Sequence, residues 1–440
     1  MIADATIPAS ERSDTSARAA GQSRRLEALL SAVYGRSAFY TRKLDAAGIG
    51  PGITLRVPDD LHRLPLTTKA ELVADQDAHP PWGSVTSEPI GRYTHYNHTS
   101  GTTGRPLRWV DTSESWQWAV DCWKAVYRAA RVDPADRVFF AFSFGPFFGF
   151  WTAYDAAAQI GAHCVPAGGM SSHQRLALIE AVRPTVICCT PTYALRLAEV
   201  AQEERTRGVP LASNGVRLLI VAGEPGGSIP ATRRRIEQAW GARVIDHHGL
   251  TEVGPLSFEC WEGPGFLHLN EAEYICEVLD PLTQEPVPDG EPGELVVTNL
   301  GRAANPAIRY RSGDIVVRRS ERCVCGRTFA RLDGGIRARV DDMVTIRGVN
   351  VYPTAIEAVV RRFDDVVEFR STVSETGALR SLSVEIEVAR GAGNAQATVS
   401  RLADELREAI GLAVTVTMAE PGALPRFEMK SRRFVVQQES

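Results

Sequence analysis

The stretch Thr185-Val-Ile-Cys-Cys-Thr-Pro-Thr-Tyr-Ala-Leu-Arg-Leu-Ala-Glu-Val-Ala-Gln-Glu-Glu204 decides the fold. Thr185–Cys189 is a brief β-rich apolar run and Thr192–Glu204 carries a helical pattern, so a strand hands directly to a helix. The same unit recurs on either side. Val138–Phe142, His163–Val165 and Leu218–Val221 are further short β-rich runs, and Ser172–Val182 and Ala231–Trp240 are further helical patterns. Alternation of this kind predicts an α/β domain with a mainly parallel sheet.

Upstream, Leu26, Leu29, Leu30, Val33 and Tyr34 recur at helical spacing, and Pro65-Leu-Thr-Thr-Lys69 reads as a turn whose threonine caps the next helix. Downstream of Gly249 the texture changes. Tyr274–Leu279 and Glu294–Thr298 are alternating strands between Pro/Gly/Asp turns, as in an antiparallel β-subdomain. The last hundred residues form a small α+β unit. Its strands are Val344–Ile346, Leu382–Val388 and Val414–Met418, and its helices are Pro353–Phe363 and Ala397–Ile410. The charged stretch Arg337–Asp342 is the junction. The expected layout is a disordered tail over 1–21, a large domain over 22–340 and a small domain over 341–440. In the tail, Asp4, Glu11 and Asp14 interrupt any apolar segment, which argues against a signal peptide.

Composition narrows the class. The 440 residues are 44% hydrophobic and 23% charged with a net charge of -4, which fits a globular protein and gives no basic footprint for nucleic acid. The most apolar stretch, Val138–Ala158, is broken by Gly145, Pro146, Gly149 and Asp155, so no membrane span is expected. The eight cysteines have no disulfide-framework spacing, which points to the cytoplasm.

Five strings carry chemistry. Thr99-Ser100-Gly101-Thr102-Thr103-Gly104 can turn tightly on its glycines and aim amides and hydroxyls at phosphate oxygens, although it lacks a Walker A ending. Asp246-His-His-Gly-Leu-Thr-Glu252 ends in a hydroxyl and a carboxylate side by side, a pair suited to a phosphate and its magnesium. Arg309-Tyr-Arg-Ser-Gly-Asp314 sets an acidic residue after a glycine turn, where it can accept ribose hydroxyls or remain a solvated turn residue. Arg339 to Pro353 spans the junction, and Pro425-Arg-Phe-Glu-Met-Lys430 lies near the C-terminus.

In this order the five strings resemble those of the adenylate-forming superfamily of acyl-CoA synthetases, luciferases and peptide-synthetase adenylation domains. Within it the phenylacetate–CoA ligase family is the closest in look, through Asp342-Met-Val-Thr-Ile-Arg-Gly-Val-Asn-Val-Tyr-Pro353, and the likeness runs from about Leu26 to Lys430. The resemblance implies a large domain and a small mobile C-terminal domain. It also implies ATP-dependent formation of an acyl-adenylate, followed by thioester formation with coenzyme A. By the same likeness Ser100, Thr102 and Thr103 hold the β/γ-phosphates, Gly223, Glu224 and Pro225 line the adenine, and His248 stands where the family usually has tyrosine. Thr251 meets the α-phosphate, Glu252 binds Mg²⁺, Asp314 holds the ribose and Arg339 reaches the nucleotide. Asp341 is the hinge, Lys430 bridges the carboxylate and the α-phosphate, and Gly348 with Asn350–Tyr352 flanks the thiol tunnel. Phe144 and Phe147 flank the acid's ring over a floor of Ala222 and Gly223. An aromatic-lined pocket favours a small aryl or arylacetic acid over a fatty acid, and His98 and His247 add polar groups near it.

Cys260, His268, Cys323 and Cys325 offer three sulfurs and one imidazole, a closed structural zinc set. The competing readings are unliganded thiols with a surface histidine, or Cys276 as a rival ligand. Other acceptors than CoA (a carrier-protein phosphopantetheine, an amine or another nucleophile) fit the same adenylation half. A silent adenylate-binding protein is the reading from another class, and Lys430, Glu252 and Asp314 together count against it. A homodimer is compatible with the family.

Overall fold

The structure, a computed structural model, describes residues 7–99, 106–203, 211–346, 349–376, 379–389, 394–427 and 431–438. One 12-stranded mixed sheet runs through the large domain. Its parallel half is ordered Arg243–Leu250, Leu218–Val221, Val186–Cys189, Arg137–Phe140 and His163–Pro166. Pro166 sits on the edge strand, where a missing N–H costs no ladder bond. Each short run is apolar throughout because both faces are covered. Phe139, Ile187 and Leu219 pack with Tyr193, Leu197 and Trp240 on one side. Val138, Val186 and Leu218 pack with Trp123 and Tyr127 on the other. Fully burying such side chains stabilises by roughly 1.5–3 kcal/mol each.

The strand Arg243–Leu250 is where the sheet changes character. It pairs in parallel with Leu218–Val221 and antiparallel with Gly254–Cys260. The antiparallel half continues through Gly263–Leu269, Arg331–Asp333, Tyr310–Arg319, Pro292–Asn299 and Tyr274–Leu279. The β-subdomain is thus joined edge to edge with the parallel half.

The expected disordered tail over 1–21 is corrected for residues 7–21. A helix spans Thr15–Val33, and Asp14 Oδ1 accepts the Ala17 N–H at 2.8 Å as its N-cap. Glu11 is buried and accepts from Arg327 Nε at 2.6 Å and from Arg128. Read as loose charges in the sequence, these two acids serve as a cap and an ion-pair anchor. Elsewhere, Thr68 and Glu71 form a reciprocal capping box at the helix Lys69–Ala78.

Residues after the junction have a core of their own, including Ile346, Ile356, Phe369, Val384 and Leu402. They form a four-stranded sheet ordered Thr415–Met418, Leu379–Val388, Val366–Thr376 and Phe434–Gln438, with helices Pro353–Val360 and Ala395–Ile410. This unit docks on the large domain through Arg235, which donates to Val366 O at 2.8 Å, and Arg433, which donates to Thr192 Oγ1 at 3.1 Å. Among the described residues no helix is long and apolar enough to cross a membrane.

Candidate active site

The carboxyl ends of the parallel strands gather the residues of three of the five strings, as open α/β sheets do. Asp246 to Glu252 forms the end of the strand Arg243–Leu250 and the turn after it. Val221 pairs with Asp246, which sets Ala222 and Gly223 beside the histidines. Gly223 has φ 94°, a left-handed conformation that side chains resist. Glu224 accepts the Thr192 N–H at 2.9 Å and the Ser431 N–H at 2.7 Å, so the chain next to Lys430 meets the loop after Leu218–Val221. Lys430 itself and Ser100 to Gly104 lie outside the described residues. At the base of that loop, the Thr99 N–H donates to the Leu107 carbonyl and the Leu107 N–H donates to Thr99 Oγ1, each at 3.0 Å, closing the ribbon of Tyr93–His98 and Arg108–Thr112.

His248 Nε2 lies 3.0 Å from Asp314 Oδ2, and Arg339 Nη1 donates to Asp314 Oδ1 at 2.7 Å. Burial works to raise the Asp314 carboxyl's pKa, but His248 and Arg339 outweigh it and hold the group below its ordinary value. The backbone register pairs Asp314 directly with Arg339, and Arg339 Nη2 also reaches Asp341 at 3.3 Å. The junction is thereby tied to the sheet through one guanidinium.

Glu252 is buried, with Tyr310 Oη donating to it at 3.2 Å and Lys69 Nζ forming an ion pair at 3.7 Å. Arg302 donates to the Thr251 carbonyl at 2.7 Å while making a fully buried bidentate pair with Asp111, at 2.6 and 2.5 Å. These supporting residues were not singled out in the sequence. Tyr310 lies inside the quoted Arg309–Asp314 string and Lys69 inside the capped turn, whereas Arg302 and Asp111 are separated by 191 positions and share no local signal.

The aromatic-rich run from Phe139 to Trp151 divides. Phe140, Phe142 and Phe148 are buried core, while Phe144 and Phe147 are half-buried. Phe144 contacts Phe142 and Trp151, with centroids at 5.3 and 4.7 Å, and Phe147 meets His98 at 5.6 Å. His247 is buried against Trp123 at 4.2 Å.

Away from this edge, Cys260, His268, Cys323 and Cys325 bring one ligand atom each to within 4.8 Å of one another. Cys260 Sγ and Cys323 Sγ are 3.7 Å apart, and Cys325 Sγ is 3.6 Å from His268 Nε2. His268 is fully buried, unlike the surface histidine of the competing reading, and Cys276 is outside the group.

The chain is similar to known proteins in sequence and fold. The AMP-binding enzyme family model matches residues 63–303, and the AMP-binding enzyme C-terminal domain model matches residues 348–438. The chain is 35% identical to a phenylacetate-coenzyme A ligase of Thermus thermophilus, over 92% of this chain and 93% of that protein. It is 31% identical to a phenylacetate-coenzyme A ligase of Escherichia coli K12 over 98% of each. A 2-hydroxyisobutyryl-CoA ligase in the postadenylation state with 2-HIB-AMP superposes with a TM-score of 0.92 at 28% identity, covering 98% of this chain and 92% of that one. The same protein in its thioesterification state, with 2-HIB-AMP and CoA, gives 0.74 at 30% identity with the same coverage. Fold and family matches therefore define an AMP-binding, adenylate-forming enzyme. The chain belongs to the phenylacetate–CoA ligase family of that superfamily. It is an acid–thiol ligase that uses ATP to make an acyl-adenylate and transfers the acyl group to coenzyme A.

Proposed function

We propose that the acid is a small aromatic carboxylic acid, seated with its ring between Phe144 and Phe147 over Ala222 and Gly223. The observation that carries this reading is the run of aromatic contacts from Phe144 to Trp151 and from Phe147 to His98, in the segment that follows the parallel strand Arg137–Phe140. The relatives named as phenylacetate-coenzyme A ligases support it.

In this reading two anions must meet, so donors and cations around them offset the charge that gathers in the transition state. Ser100, Gly101, Thr102, Thr103 and Gly104 hold the β/γ-phosphates and Thr251 the α-phosphate. Gly223, Glu224, Pro225 and His248 frame the adenine, and Asp314 with Arg339 holds the ribose side. Glu252, a buried carboxylate with one hydroxyl donor, suits a hard cation. Magnesium held there, when bound, neutralises triphosphate charge. Lys430 reaches the acid carboxylate and the α-phosphate during adenylation and withdraws as the small domain turns about Asp341, leaving room for the thiol. The higher similarity to the postadenylation arrangement of the 2-hydroxyisobutyryl-CoA ligase, and the Ser431–Glu224 bond, support a small domain docked in that arrangement.

The thiolate–imidazole group is best read as structural zinc. Tetrahedral zinc with ordinary bond lengths sets sulfurs about 3.8 Å apart and sulfur about 3.6 Å from nitrogen, a fit to the observed spacings. Four protein ligands leave no open position, so this zinc braces the turn Cys323–Cys325 against the neighbouring strands. Cysteines outside disulfides throughout the described residues support a reducing, cytoplasmic setting.

Screening aryl, arylacetic and straight-chain acids for pyrophosphate release, with and without CoA, tests the substrate class. Aryl acids should dominate; preferential turnover of straight-chain acids contradicts the reading.

A further inference from the structure

His247 has a fixed hydrogen-bond role. Its Nδ1 lies 2.7 Å from the Ser257 carbonyl oxygen, which can only accept, so Nδ1 carries the proton. Burial lowers the imidazole's pKa to about 3, so the ring stays neutral and Nε2 keeps its lone pair. No described residue hydrogen-bonds Nε2. Packed against this ring, with centroids 4.2 Å apart and the planes tilted by 51°, is Trp123, whose buried indole Nε1–H has no acceptor. Trp116, Trp118, Trp151 and Trp240 each donate to a protein oxygen, and among the described tryptophans Trp109 alone shares the unpaired, buried state of Trp123.

An orphaned buried donor costs about 1–3 kcal/mol, so the retention of Trp123 Nε1–H beside an imidazole nitrogen with no described protein partner favours a ligand that pairs with both. The register sets His247 next to Ala222, at the floor of the aromatic pocket, and Trp123 shares a core with Phe142 and Phe148. Apolar residues would serve a plain phenyl ring better at both positions.

We propose that Trp123 and His247 form a donor–acceptor end-wall of the acid pocket that selects an aromatic acid bearing a ring hydroxyl. A phenolic O–H donates to His247 Nε2 while its oxygen accepts from Trp123 Nε1–H. A methyl or unsubstituted ring leaves both unpaired. This inference rests on the aryl-acid reading and refines it.

The test compares kcat/KM for thioester formation with benzoate, phenylacetate and their ring-hydroxylated and ring-methylated derivatives. One hydroxylated isomer should exceed both its parent and its methyl counterpart by about 100-fold or more, since a site built for a hydroxyl discriminates strongly against its absence. His247→Leu and Trp123→Phe should each collapse that ratio toward unity and leave the KM for ATP unchanged, which general loosening of the fold would not do. Parent acids turned over as well as every hydroxylated isomer by the wild-type enzyme overturn the proposal, and so does a ratio that survives both variants. Turnover of non-aromatic acids alone is a separate outcome, in which the aryl-acid reading itself fails and the end-wall with it.

Discussion

His248 Nε2 lies 3.0 Å from Asp314 Oδ2, on the opposite side of the carboxylate from the 2.7 Å bond made by Arg339 to Oδ1. One buried acid is thus held by an imidazole from the strand that ends in Thr251-Glu252 and by a guanidinium from the domain junction. The two ends of the proposed nucleotide site share a single anchor.

Removing one partner tests that anchor. His248 and Arg339 hold the Asp314 pKa below the ordinary carboxylate value against the effect of burial. In His248→Phe the carboxyl loses a hydrogen bond to its charged form, so its pKa rises. The acid limb of kcat/KM for ATP should therefore move to higher pH, while the KM for the acid stays constant. An acid limb that remains in place shows that His248 does not govern the carboxylate.

Asp246 provides a second titration. Burial raises its pKa to about 6, against the lowering effects of Ser228, which donates at 2.5 Å, and of Arg233. The folded state therefore binds this proton more tightly than the unfolded state does. The associated stability is complete below about pH 4 and is lost as pH rises through about 6. Asp246→Asn, which cannot ionise, should flatten the pH dependence of Tm between about pH 4 and 6 relative to wild type. Parallel curves for the two proteins would count against a raised pKa.

The zinc assignment predicts one equivalent of metal per chain in protein purified without chelators, measured by elemental analysis. Chelation or Cys323→Ser should lower Tm markedly and open the remaining thiols to a thiol reagent, because ligand-site free energy is folding free energy. Metal-free protein with an unchanged Tm would remove the site.

Arg302 and Asp111 are both fully buried. Arg302→Ala leaves the Asp111 charge unpaired and frees the Thr251 carbonyl, so denaturant unfolding should show a loss of about 3–5 kcal/mol. The residual folded enzyme should have a lower kcat for adenylation. A loss within the range of ordinary surface substitutions would show that the pair is replaceable.

Local strings were legible in the sequence where one segment carries its own signal. Asp246 to Glu252 and Arg309 to Asp314 could be read because strand ends and glycine turns mark them, and Leu218–Val221 because both of its faces are covered and its residues are all apolar. Contacts between distant segments were not legible. Arg302 meets Asp111 and Lys69 meets Glu252 only through the fold, and no local periodicity encodes either meeting. Asp14 and Glu11 misled for a related reason. A charged residue in a polar stretch reads as solvated until its partner, a helix N-terminus or a pair of arginines, is brought to it. The cysteine–histidine group lay between these cases, since its residue types suggested a ligand set but only the fold brought the four donors together.

The most direct measurement follows both half-reactions in Lys430→Ala beside wild type. Wild type should consume ATP, aryl acid and CoA and release AMP, pyrophosphate and one thioester in equal amounts. The variant should lose acid-dependent pyrophosphate release yet still convert a supplied aryl-adenylate and CoA to the thioester. Equal loss of both half-reactions, or AMP release by wild type without thioester, would contradict a single site that first adenylates and then transfers.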